Sequence, residues 1–286
     1  MTFYPETTRT RPSFVLQAMT KGKPTLLCRA PRKRSTKLHQ DSAPVEAIDR
    51  PNNTQLHLAG QSCHSGMEDP LLKKGASTEA RDKTDNTPLH LAVSSGNTGM
   101  TELLLKQGAP VGAMDGNKDT PLHLAVDRGS TGMVELLLRQ GAPVGAMDGN
   151  KNTPLHLAVY GGGMHRSSTG MLELLLRQGA PVDAMDRNKS TPLHIAAKSG
   201  QTDIVELLLS NGASIKATDK NGNTPLHLAA QNDRTSVVRL LLDKGASVKA
   251  RNKAGYTPHR LATRYGHTWV QKLFEQKLWE NNHGSN

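Results

Sequence analysis

The chain has 286 residues, of which 35% are hydrophobic and only 3% aromatic, a composition that argues against one large aromatic-rich core and for thin layers of small helices. Its net charge of +11 is uneven: residues 1–48 carry nine Lys/Arg against three Asp/Glu, residues 49–185 twelve against fourteen, and residues 186–286 fifteen against eight. The two cysteines, Cys28 and Cys63, lack metal-ligand spacing, and no apolar run is long enough for a membrane span or a secretory signal. The expectation is a protein of a reducing compartment, cytoplasmic and/or nuclear, with no disulfide framework, no metal and no membrane segment.

Residues 1–42 have charge, prolines and no periodicity, which predicts a disordered basic tail. Within it, Arg29-Ala30-Pro31-Arg32-Lys33-Arg34-Ser35-Thr36-Lys37 reads equally as a solvated charge run and as a nuclear-import signal. A transit peptide ranks below both, because Pro5, Pro12, Pro24 and Pro31 interrupt the helix it needs. Residues 43–48 are expected to form a partial hairpin leading into a stack of repeated units.

From residue 49 the chain is periodic. Thr-Pro-Leu-His, or a near variant, recurs with its threonine at 54, 87, 120, 153, 191, 224 and 257, at intervals of 33 residues except for one of 38. A period of this length marks units that cannot bury their own apolar faces and must stack on their neighbours. The units are 49–81, 82–114, 115–147, 148–185, 186–218, 219–251 and 252–284.

Local rules parse each unit. Thr120 is an N-cap ahead of Pro121 at the first helical position, where a missing amide costs nothing. Leu122, Leu124, Ala125 and Val126 supply a short helix, and Gly129 ends it. After a turn at Ser130 and Thr131, Met133–Gln140 gives a second helix closed by Gly141. The stretch from Ala142 to Asn152, with Pro143, Asp148, Gly149 and Asn150, favours a projecting hairpin-like loop.

These units resemble the ankyrin repeat, on the strength of Thr-Pro-Leu-His-Leu-Ala, the glycine after the first helix, Leu-Leu-Leu in the second and Gly-Ala before the loop. The resemblance covers residues 49–284 and implies an all-α solenoid of stacked helix pairs with projecting hairpin fingers. It also implies protein recognition through the finger tips and the concave face of the first helices. Each motif histidine (His57, His90, His123, His156, His194 and His227) is then expected to bridge its threonine hydroxyl and backbone amides of a neighbouring unit, at about 1 kcal/mol per hydrogen bond. That structural role is preferred over metal binding or general-base chemistry, since no cysteine or carboxylate converges on these histidines at ligand spacing.

Some units depart from the pattern. The first has Gln55 for proline, Cys63 for glycine, and Pro70 expected inside the second helix, where it would cost roughly 3 kcal/mol. That unit should be a distorted cap or only partly folded. The seventh has His259-Arg260 and continues through Trp269, Leu273, Phe274, Leu278 and Trp279 as a C-terminal cap. The fourth carries an insertion within 161–167, expected to bulge between its helices. Lys118, Lys151 and Lys189 stand where the resemblance expects a finger glycine, as Gly222 does, so their loops are expected to turn differently.

No phosphate-cradling loop, nucleophile elbow or kinase set is present, so no catalytic residue, cofactor or small-molecule substrate is expected. The reading is a non-enzymatic adaptor or scaffold that is monomeric and binds a protein. The alternative is a nuclear transcriptional co-regulator or a secreted microbial effector on the same scaffold. Discrimination between partners is assigned to positions that vary while the framework repeats: Asp127, Arg128, Tyr160, Lys198, Gln231, Asn232, Arg264 and Tyr265 before the first-helix stop, with finger residues Arg187, Lys220 and Lys253. By the resemblance they form one strip that becomes basic along the stack and suits an acidic segment of a partner. The fingers lack stacking aromatics, so direct nucleic-acid binding is not expected.

Overall fold

A computed structural model describes residues 48–49, 52–61, 68–161 and 168–283. The expectations for the tail 1–42 with its Arg29–Lys37 run, for residues 43–47, for Cys28 and Cys63, and for most of the insertion at 161–167 lie outside these residues.

Among the described residues the chain forms helices in pairs, with a single antiparallel bridge between Ile48 and Thr54. The first helices are α1 (Gln55–Gln61), α3 (Pro88–Ser95), α5 (Pro121–Asp127), α7 (Pro154–Gly161), α9 (Pro192–Ser199), α11 (Pro225–Gln231) and α13 (Pro258–Tyr265). Their partners are α2 (Glu68–Lys73), α4 (Thr98–Lys106), α6 (Thr131–Arg139), α8 (Ser168–Arg177), α10 (Thr202–Ser210), α12 (Thr235–Asp243) and α14 (Thr268–His283). Each first helix packs on its own partner and on the first helix of the next pair, and α8, α10, α12 and α14 pack in a second row. This is an all-α helix-pair solenoid.

The packing follows from side-chain size. Leu89, Leu122, Leu155, Leu193 and Leu226 are buried, each gaining about 1.5–3 kcal/mol over an exposed leucine. Beside them Ala92, Ala125, Ala158, Ala196, Ala229 and Ala262 keep the first helices close. Between α1 and α3 the fit is tighter still: a Cβ on Gly60 would stand 3.0 Å from the carbonyl oxygen of Pro88. In the second row Leu104, Leu137, Leu175, Leu208 and Leu241 are fully buried. Phe274 of α14 takes the equivalent place at 0% exposure, so the last helix closes the apolar row while Trp269 and Trp279 face outward.

The threonine and histidine of the motif act together. In α3 the side chain of Thr87 caps the amide of His90, and the His90 Nδ1 accepts from the Thr87 amide at 3.1 Å. The His90 Nε2 then reaches the main-chain oxygen of Asp119 in the next unit, at 3.1 Å. The six motif histidines all bind carbonyls in this way, at Asn86, Asp119, Asn152, Ser190, Asn223 and Tyr256. The neighbouring unit therefore supplies a carbonyl acceptor, whereas the expectation was an amide; the amide each ring binds belongs to its own threonine.

Pro70 lies within α2, as expected, the third of its described residues. One further expectation is corrected, that of the fingers: Lys118, Lys151 and Lys189 have φ of 64°, 63° and 56°, close to the 75° of Gly222. These lysines enter the left-handed region themselves, so their loops turn as the glycine loop does, at a steric cost of roughly 1–2 kcal/mol per residue.

Candidate partner-binding surface

The fingers are organised by the aspartate at the base, a place taken by Asn252 in the last one. Asp115 Oδ1 accepts the amides of Asn117 and Asp119, both at 2.8 Å, and the Asp115 amide donates to the Asp119 carbonyl at 3.0 Å. Asp148, Asp186 and Asp219 repeat the arrangement. This is the local turn chemistry for which aspartate is suited, a side chain bonding main chain two and four residues on.

Neighbouring fingers are then tied through their main chains. The amides of Gly116, Gly149, Arg187, Lys220 and Lys253 donate to the carbonyls of Thr84, Asn117, Asn150, Asn188 and Asn221, at 2.7–3.0 Å. The five donors occupy one position in successive fingers, and along that row the side chain changes from none to Arg or Lys. Arg187, Lys220 and Lys253 are exposed, and none of the three forms an ion pair among the described residues. Lys220 Nζ reaches Asn188 Oδ1 of the preceding finger at 2.6 Å.

The first-helix positions divide. Asp127 ends α5 and Arg128 follows it, both exposed, and Lys198 is exposed near the end of α9. Tyr160 is half exposed beside the finger bases; desolvation by burial, then the Asp186 and Asp148 carboxylates, raise its hydroxyl above the ordinary tyrosine value. It remains a neutral hydrogen-bond donor at physiological pH. Gln231 and Tyr265 are brought together, with Gln231 Nε2 donating to the Tyr265 hydroxyl at 3.1 Å. Arg264 donates to the Tyr256 hydroxyl at 2.5 Å. Asn232, only partly exposed, bonds the Leu228 carbonyl at 2.8 Å and is occupied in ending its own helix.

Sequence reasoning passed over two features. Met114, Met147 and Met185 immediately precede the aspartates of three successive fingers and are 43%, 40% and 43% exposed. Their signal in the sequence is the Ala-Met-Asp repeated in those three fingers. The second is Tyr256, whose ring lies under two guanidinium groups, Arg260 at 5.3 Å and Arg264 at 5.2 Å. Among the described residues no group of three His, Cys, Asp or Glu could hold a metal ion, and no helix is long and apolar enough to cross a membrane.

A family model of ankyrin repeats, in blocks of three copies, matches residues 56–148, 102–165, 122–219, 164–252 and 214–282. The chain belongs to the ankyrin-repeat family. No curated protein gives a significant match. Ankyrin repeats are in general protein–protein interaction modules and typically non-catalytic scaffolds.

Proposed function

We propose that this chain is a protein-binding adaptor or scaffold, without enzymatic activity, that holds an acidic segment of a partner protein along its fingers and the last turns of its first helices. The observation that carries the reading is the row Arg187, Lys220 and Lys253: three exposed cations on main-chain-linked fingers, with no ion pair of their own among the described residues. Fixed positive charges in such a row attract an acidic chain and raise its rate of encounter. Lys198, Arg264 and Tyr265 extend the surface beside the row, and Tyr160 offers a hydroxyl donor on an apolar ring. We place the protein, as a monomer, in the cytoplasm or nucleus; the Arg29–Lys37 run supports a nuclear share.

Affinity capture with mass spectrometry identifies the partner, and charge reversal then tests the face. Arg187→Glu, Lys220→Glu and Lys253→Glu together should slow association about tenfold or more at low salt, with the loss shrinking as salt rises. Unchanged affinity in that variant, combined with loss of binding on substituting the outward second-helix residues Glu102 and Glu135, would move the binding face to the other side of the stack.

A further inference from the structure

The finger row has two chemically distinct halves. In the first, Met114, Met147 and Met185 present thioethers, and Gly116 and Gly149 carry no side chain, their Cα atoms pressed against the carbonyls of Thr84 and Asn117 in the preceding fingers. In the second, the methionine position becomes Thr218 and then Arg251, and the glycine position becomes Arg187, Lys220 and Lys253. The halves overlap in one finger, which carries both Met185 and Arg187. Past the cationic half, the Tyr256 ring holds Arg260 and Arg264 within 5.3 Å. The opposite end of the row is mixed: the finger with Arg81 and Lys83 also bears Asp85, and Arg81 is engaged by the carbonyls of Asp85 and Met114.

We propose that the occupant of this row is a single extended peptide segment with an apolar half, seated on Met114, Met147 and Met185, continuous with an acidic half seated on Arg187, Lys220 and Lys253. The inference rests on the fingers being the partner surface and specifies what lies on them. Methionine suits the apolar half because its unbranched thioether adapts to different apolar side chains. The register comes from the stack. Packed helices lie about 8–10 Å apart, and a polyproline-type chain advances about that far in one three-residue turn, at roughly 3.1 Å per residue, returning to the same face. One apolar side chain then meets each methionine at every third position. Crossing the five fingers from Met114 to Lys253 spans four such intervals, roughly thirteen residues of the chain.

The test uses the full chain as bait for a phage-displayed library of random 16-residue peptides, with the enriched peptides synthesised, labelled and titrated by fluorescence anisotropy. Two variants are compared: Met114→Gln with Met147→Gln and Met185→Gln, and the triple charge reversal; circular dichroism confirms that each retains its helix. The expected consensus has apolar residues three apart on one side and Asp or Glu on the other, and each variant weakens binding about tenfold or more. Only the charge reversal should remove the dependence on salt. Binding that survives the methionine variant but not the charge reversal overturns this inference and leaves the finger face standing as an acidic-segment site. Binding indifferent to both variants overturns both. A library that yields no binder, or a consensus with apolar residues seven apart as on a helix, also overturns the extended bipartite segment.

Discussion

The Nε2–H of His123 donates to the main-chain carbonyl of Asn152 at 3.1 Å, across a unit boundary, while Nδ1 of the same ring accepts the amide of Thr120 at 3.1 Å. Both partners have fixed roles, since an amide can only donate and a carbonyl can only accept. They therefore select one neutral tautomer, with the proton on Nε2, and leave the Thr120 hydroxyl to donate to Nδ1 at 2.9 Å. Replacing His123 by alanine leaves the buried Thr120 amide unpaired, at about 1–3 kcal/mol, and removes one of the two donors to the Asn152 carbonyl, which keeps the Asp148 amide. Urea denaturation should show that loss, and hydrogen exchange should place it at the boundary between the two units on either side.

The same geometry makes the stack acid-sensitive. A second proton, on Nδ1, would face the threonine amide, and desolvation by burial already lowers the pKa of His90, His123, His156, His194 and His227 below 6.5. The unfolded chain thus binds more protons than the folded one as pH falls below about 6.5, and stability declines with each step down. Above about pH 7 these five groups are neutral in both states and contribute no slope. Urea midpoints measured from pH 8 to pH 5 should be flat and then fall, by about 1.4 kcal/mol for every pKa unit of depression summed over the five. A midpoint that rises between pH 6.5 and 5 would contradict the neutral-tautomer assignment.

Lys118, Lys151 and Lys189 sit at positive φ, where glycine meets no steric penalty. Substituting each by glycine should raise stability by about 0.5–1 kcal/mol, the relief of strain being partly offset by the greater freedom of glycine in the unfolded chain. Thermal unfolding of the single and triple variants checks this. A triple variant less stable than the parent would mean that the lysine side chains stabilise the fingers in ways their backbone angles conceal.

Phe274 tests the cap. It is fully buried in the leucine row of the second helices, so Phe274→Ala should cost about 3–5 kcal/mol and open α13 and α14 first, as seen by proteolysis or hydrogen exchange. Trp269→Ala, at a side chain 70% exposed on the same helix, should cost less than about 1 kcal/mol.

The charge reversals at Arg187, Lys220 and Lys253 should change stability by no more than about 1 kcal/mol in total, because these side chains are exposed and form no ion pair among the described residues. A larger loss in the same urea assay would assign the row a structural task in place of a recognition one.

The periodic Thr-Pro-Leu-His, the glycine stops and the leucine runs by themselves determined the solenoid, because capping and helix amphipathicity act within a few residues and repeat with the period. Helix edges were legible to within two residues: the second helix expected from Met133 begins at Thr131. What sequence alone could not decide were matters of contact between units. The finger lysines had to adopt the glycine conformation because the aspartate at each base and the carbonyl of the preceding finger hold the loop from both sides, outweighing local preference. Asn232 was drawn from the recognition strip into a helix end, and Met114, Met147 and Met185 were left exposed on three adjacent fingers. A side chain's exposure is set by what the stacked neighbour covers, and stacking brings together residues some 33 positions apart, beyond the reach of any local pattern.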